Sequence, residues 1–200
     1  MSGLTGSRPS VGWWFIAFVV LVFIGAAVVS LPASDQPPDV IHAFYAAHRV
    51  SVTVTQVAGL VAAAVLIVVI RALLRWVGGG WPLVVTGALV ALANVGTAVP
   101  VLWLAYGTGG SATTSLARWG DWTDDILFLV IGLFAAVLST VAPGRALRIA
   151  CVLTAVLCTV RGVGGVFGLT ALNVVAPVTF LAMMVWLGVA RLRAGPSGAA

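Results

Sequence analysis

Residues 50–70 read VSVTVTQVAGLVAAAVLIVVI. No charge interrupts the run, and its polar groups (Ser51, Thr53, Thr55 and Gln56) all lie near its start. A helix needs about 20 predominantly apolar residues to cross the ~30 Å hydrocarbon core of a bilayer, and this stretch supplies them. Five further runs have the same character, at about 12–31, 82–105, 125–142, 147–168 and 172–190. In lipid every backbone polar group must be satisfied internally, which restricts such runs to helices. The pattern predicts an all-α fold: a polytopic transmembrane helix bundle of about six spans, forming one domain over residues 1–200.

Composition agrees. The chain is 62% hydrophobic and 8% charged, with a mean hydropathy of +1.17. A soluble domain carries about 25% charged residues. The first run follows a lone Arg8 and precedes PAS, which resembles a secretory leader. It exceeds the roughly 7–15 apolar residues of a leader's core, so it reads as a retained helix. Cys151 and Cys158 are seven apart on one helix face and cannot bridge each other. They read as small buried hydrophobes.

All ten basic residues are Arg and all five acidic ones are Asp. Together with abundant Ala, Val and Gly, this points to a high-GC bacterial genome and a bacterial cytoplasmic membrane. The net charge of +5 does not imply nucleic acid, because the arginines sit at helix ends and form no basic stripe. With six alternating spans, Arg8, Arg71, Arg75, Arg145, Arg148, Arg191 and Arg193 share one side, and Arg49 and Arg118 the other. Basic residues collect on the cytoplasmic side, so both termini are expected inside. The long loops, 32–49 and 106–124, then face outward and carry or border every Asp and both His. No internal repeat marks the chain as an inverted-repeat transporter.

The outer acids concentrate in GDWTDDILF (120–128), which holds Asp121, Asp124 and Asp125. On a helix Asp121, Asp125 and Phe128 share a face, with Trp119 and Trp122 flanking. Asp121 or Thr123 as N-cap explains part of the cluster, because acids are favoured at helix N-termini. It leaves one carboxylate unexplained, since adjacent like charges repel. The order DxxDD is not the DDxxD that chelates magnesium on prenyl-diphosphate enzymes, and no partner motif exists. No metal and no cofactor are expected.

In DQPPDVIHAFYAAHR (35–49), two prolines set a turn and Asp39 can cap a helix beginning there. Ile41, Phe44, Tyr45 and His48 then form one face of a short interfacial helix, with His42 and Arg49 on the other. Arg161 lies 13 residues past Arg148, ~20 Å along a helix. It falls within the membrane, where it must face water, protein or a countercharge. Gly162, Gly164, Gly165 and Gly168 after it permit close helix approach. Asn94 and Gln56 are candidates for interhelical hydrogen bonds.

Carboxyl groups amid aromatics in an apolar bundle suit acid-initiated carbocation chemistry. A protonated Asp can donate a proton, and aromatic faces stabilise cations. At FYAAHR (44–49), together with the six-span layout, the chain resembles small polytopic membrane proteins of high-GC bacteria. In size and shape it is also similar to the bacterial membrane-bound terpene cyclases that act on prenylated indoles and related meroterpenoids. That resemblance implies protonation of an alkene or epoxide in a lipophilic prenylated substrate, with Asp125, Asp121, Asp124 and Asp39 as candidate acids. The absence of Glu departs from cyclases that use a Glu/Asp pair. Candidate substrate contacts are Trp122, Trp119, Phe128, Tyr45, Phe44, Trp103, Tyr106, Arg161, His42 and His48. The alternative is a small transporter, channel or accessory membrane protein that binds a cation or lipophilic ligand at its outer end. In every case the bilayer is a partner and nucleic acid is not.

Overall fold

A computed structural model describes residues 11–107, 112–167 and 172–193. Among them are seven helices and no strand: α1 (Gly12–Val28), α2 (Pro38–Ala47), α3 (Arg49–Val77), α4 (Gly80–Tyr106), α5 (Thr113–Val141), α6 (Arg145–Val166) and α7 (Val175–Arg193). Five of these, α3 to α7, are long and apolar enough to cross a membrane. At 17 residues, α1 is shorter. The protein is therefore a helical bundle of multi-pass membrane type.

Six helices close into a ring in the order α1, α3, α4, α5, α6, α7 and back to α1. The short α2 lies across one end and touches α3, α4 and α5. Tight turns connect the ring at the other end. Gly78 and Gly144 take φ of +80° there, a region that only glycine enters without a Cβ penalty. Gly79 packs on Val141, so the α3–α4 and α5–α6 turns are neighbours.

Leu66, Val69, Leu73, Leu83, Phe134, Leu138, Met183 and Leu187 form the centre of the core. Phe18 meets Phe180 edge-on at 6.0 Å. A second, smaller cluster of Ile41, Tyr45, Val52, Val101 and Leu104 holds α2 to the bundle. The outer surface is also apolar: Phe23, Ile67, Leu92, Val156 and Val163 are exposed. A soluble monomer rarely shows such a continuous apolar surface, and lipid is the solvent that accommodates it. Cys151 and Cys158 are free and fully buried, in keeping with the apolar run that carries them.

Two expectations are corrected. The fourth apolar run implies a helix start near residue 125, with Asp121 or Thr123 as its cap. The helix begins at Thr113, after Ala112, so GDWTDDILF lies inside it. Thr123 instead donates back to the Trp119 and Gly120 carbonyls, a bond open to a mid-helix threonine. Asp39 does not cap α2 either. Pro37 holds the cap position, and Asp39 occupies the first turn, where its charge complements the helix dipole.

Candidate functional site

The α2 end of the ring encloses a cavity of about 680 Å³. The segment between α1 and α2 contributes Leu31, Ser34 and Asp35 to its walls, and α2 contributes Tyr45. Gln56 from α3 and Thr97, Val101 and Leu104 from α4 line its flank. From α5 come Leu116, Asp121, Asp124 and Asp125, and from α6 Arg161 and Gly165. The lining thus combines an acidic stripe on α5 with apolar side chains from α4 and α5.

Helical spacing explains the acidic stripe. Asp121 and Asp125 are one turn apart, and Asp124 is adjacent on the same side. Asp121 is exposed, the Asp124 side chain is 45% exposed and that of Asp125 is 8% exposed. The deeper two meet Arg161. Its Nη1 donates to Asp125 Oδ1 at 2.5 Å and its Nη2 to Asp124 Oδ2 at 2.9 Å. The guanidinium carbon also lies 5.0 Å from the Phe128 ring centroid, within cation–π range. One arginine therefore answers two adjacent carboxylates and an aromatic face, and only its Nε is buried without a hydrogen-bond partner.

Glycine makes that contact possible. A β-carbon at Gly165 would overlap the Asp125 carboxyl group. One at Gly162 would come within 2.8 Å of the Asp125 carbonyl oxygen and 2.7 Å of Leu129. Lower down, Gly132 accepts Thr159 and Ala155 at similarly short range. Small residues on both helices bring α5 and α6 together, and the ion pair forms where they meet.

Tyr45 closes the cavity from above. It is buried. That burial, and secondarily the Asp121 charge, pushes its hydroxyl from the ordinary 10.0 up to about 12. Tyr45 is the cavity's aromatic lining residue among the described residues.

The remaining sequence-predicted contacts divide. Phe128 is buried under Arg161, behind the cavity wall. Phe44 is half-buried and stacks on His48 at 4.4 Å, while His48 Nδ1 lies 3.0 Å from the Phe44 carbonyl oxygen. Tyr106 faces outward, bonded to Thr53 at 2.7 Å with Arg49 over its ring. Trp103, Trp119 and Trp122 are exposed on the bundle surface. His42 is half-buried and Asp39 exposed, and neither lines the cavity. Asp35, Ser34 and Asn173 do line it. Nothing in the sequence marked Ser34 or Asn173, because single polar residues in a connecting segment carry no periodicity. Among the described residues, no group of three or more His, Cys, Asp or Glu is placed to hold a metal ion.

Chemically the site joins three properties. It carries four carboxyl groups against one guanidinium, and that guanidinium is already engaged. Its lining includes apolar side chains. It opens at the end of the bundle opposite the tight turns. Compared with known proteins, the chain matches no family model, no curated protein and no solved structure.

Proposed function

We propose that the protein is a six-span membrane protein with both termini cytoplasmic, and that its outer cavity binds a small organic cation with an apolar body. The observation that carries this reading is the charge balance of the cavity. Asp35, Asp121, Asp124 and Asp125 face it, Arg161 is the basic group among its lining residues, and Arg161 is paired with two of them. The exposed carboxylates, Asp35 and Asp121, attract a positive charge. Val101, Leu104 and Leu116 offer it an apolar surface. The volume lies within the roughly 300–1,000 Å³ of small-molecule sites. The test is binding of decyltrimethylammonium to the purified protein, against its uncharged carbon analogue. The cation should bind at least tenfold more tightly, and Asp121→Asn should remove most of that preference. Equal binding of charged and uncharged probes overturns the reading.

A second reading is acid-initiated cyclisation. It is favoured by carboxyl groups and apolar side chains meeting in one cavity large enough for a prenyl chain. A cavity carboxylic acid would give its proton to the terminal alkene, leaving a tertiary carbocation. Ring closure and loss of a proton to a second carboxylate or water complete a net isomerisation that needs no oxidant. Asp121 suits this role better than Asp124 or Asp125, both of which accept from Arg161. The outward tryptophans supply no shelter for the cation, which leaves this reading second. Membranes containing the protein should convert a farnesylated indole, and Asp121→Asn with Asp124→Asn should stop it. Absence of product across prenylated substrates sinks this reading and leaves the binding reading to its own assay.

A further inference from the structure

A second cavity, of about 660 Å³, lies on the opposite half of the bundle between α3 and α4. Its walls are aliphatic, and small side chains such as Ala63, Ala88 and Ala91 leave the space open. Ile67 and Leu92 stand exposed at its rim. Arg71 is the charged residue that lines it. Among the described residues the Arg71 guanidinium has no carboxylate partner. No Asp lies near it along the chain: all five belong to the other end of the ring, while Arg75, Arg145 and Arg148 share the end of Arg71.

Length fits one occupant. From Arg71 to Leu60 is eleven residues of α3, or ~16 Å. Half of the ~30 Å hydrocarbon core is about the same. The groove is thus one leaflet deep, apolar along its length and cationic at headgroup level. Basic pockets between spanning helices recognise anionic lipid headgroups in this way.

We propose that the α3–α4 groove binds an anionic glycerophospholipid, with an acyl chain along Ala63, Ala88 and Ala91 and the phosphate at Arg71. This goes beyond the outer cavity and is independent of it. It rests on α3 and α4 spanning the bilayer.

The test is native mass spectrometry of the detergent-purified protein mixed with equal amounts of phosphatidylglycerol and phosphatidylcholine. The wild type should retain one phosphatidylglycerol in preference. Arg71→Gln should weaken retention about fivefold, the worth of one basic residue beside anionic headgroups. Arg71→Lys should restore most of it. Ala91→Trp should expel the chain, while Val152→Trp on the exposed face of α6 should not. Any of four results overturns the proposal. One is a wild type with no preference between the two lipids, a result that needs no variant to fold. Another is full retention in Arg71→Gln. The third is a lipid-free dimer that Ala91→Trp breaks, which would make the groove a contact between copies. Inorganic phosphate displacing nothing at millimolar concentration separates a lipid site from a free-phosphate site, and displacement of the lipid by phosphate alone also overturns it.

Discussion

Arg161 compensates two carboxylates that would otherwise repel each other within an apolar helix pair. Removing one partner of a buried pair strands the other, at a cost of about 3–5 kcal/mol. Arg161→Met should therefore lower the melting temperature in detergent sharply. Asp124→Asn should cost about 1 kcal/mol or less, because that carboxylate remains 45% exposed. The double variant Asp125→Asn with Arg161→Met should recover part of the loss, since no buried charge is then left unpaired. Equal destabilisation by Asp124→Asn and Arg161→Met would contradict this asymmetry. Tyr45 gives a pH dependence with a definite sign. Its hydroxyl titrates near 12 when folded against 10.0 when unfolded, so the folded state holds the proton more tightly. That contribution is whole below pH 10 and is lost as pH rises from 10 through about 12. Melting curves of wild type and Tyr45→Phe should run in parallel below pH 10 and separate above it, with the wild type falling faster. An identical alkaline decline in both would remove Tyr45 as the cause.

The α5–α6 seam depends on glycine at Gly132, Gly162 and Gly165. A methyl group at Gly162 forces the helices apart or displaces Leu129. Gly162→Ala should destabilise by about 1–3 kcal/mol, the usual range for overpacking, as measured by unfolding in detergent. A substitution without effect would mean that the seam yields freely. How much of this was legible in the sequence differs by element. Every apolar run is a helix, and α2 was readable from the face made by Ile41, Phe44 and Tyr45, whereas His48, expected on the same face, is exposed just past the end of the helix. Helix ends were not, because an apolar run reports hydrocarbon thickness rather than helix length. TTSLARWG (113–120) continues α5 beyond that thickness with polar residues, so the Asp cluster looked like a helix start. Arg161 announced that it needed a partner, since a charge within a span must find one. Which acid would answer it was not readable, because the 36- and 37-residue separations carry no pairing signal. The aromatic shell was misleading for a related reason. Trp103, Trp119 and Trp122 were grouped with the acids by their place at the same end of the bundle, but helical rotation turns them outward.

At the scale of the whole molecule, the ring has an acidic end and an arginine-rich end, and the proposed orientation rests on that polarity. Both native cysteines are fully buried, so they leave little background for thiol labelling. A membrane-impermeant maleimide should label Ser34→Cys in intact cells, and Arg75→Cys only after permeabilisation. The reverse pattern would invert the topology and put the acidic cavity inside. The length of α5 carries a further consequence. Its 29 residues rise ~43 Å, yet about 20 residues cross the hydrocarbon. Counted up from Val141, the crossing ends near Trp122, and Asp125 lies only ~5 Å below that level. Carrying one elementary charge through the full membrane potential is worth ~2.3 kcal/mol per 100 mV. A cation that stops ~5 Å into a ~30 Å core crosses about a sixth of that field, or ~0.4 kcal/mol per 100 mV. On the proposed cation-binding reading, binding at the acidic end would be nearly blind to whether the membrane is energised.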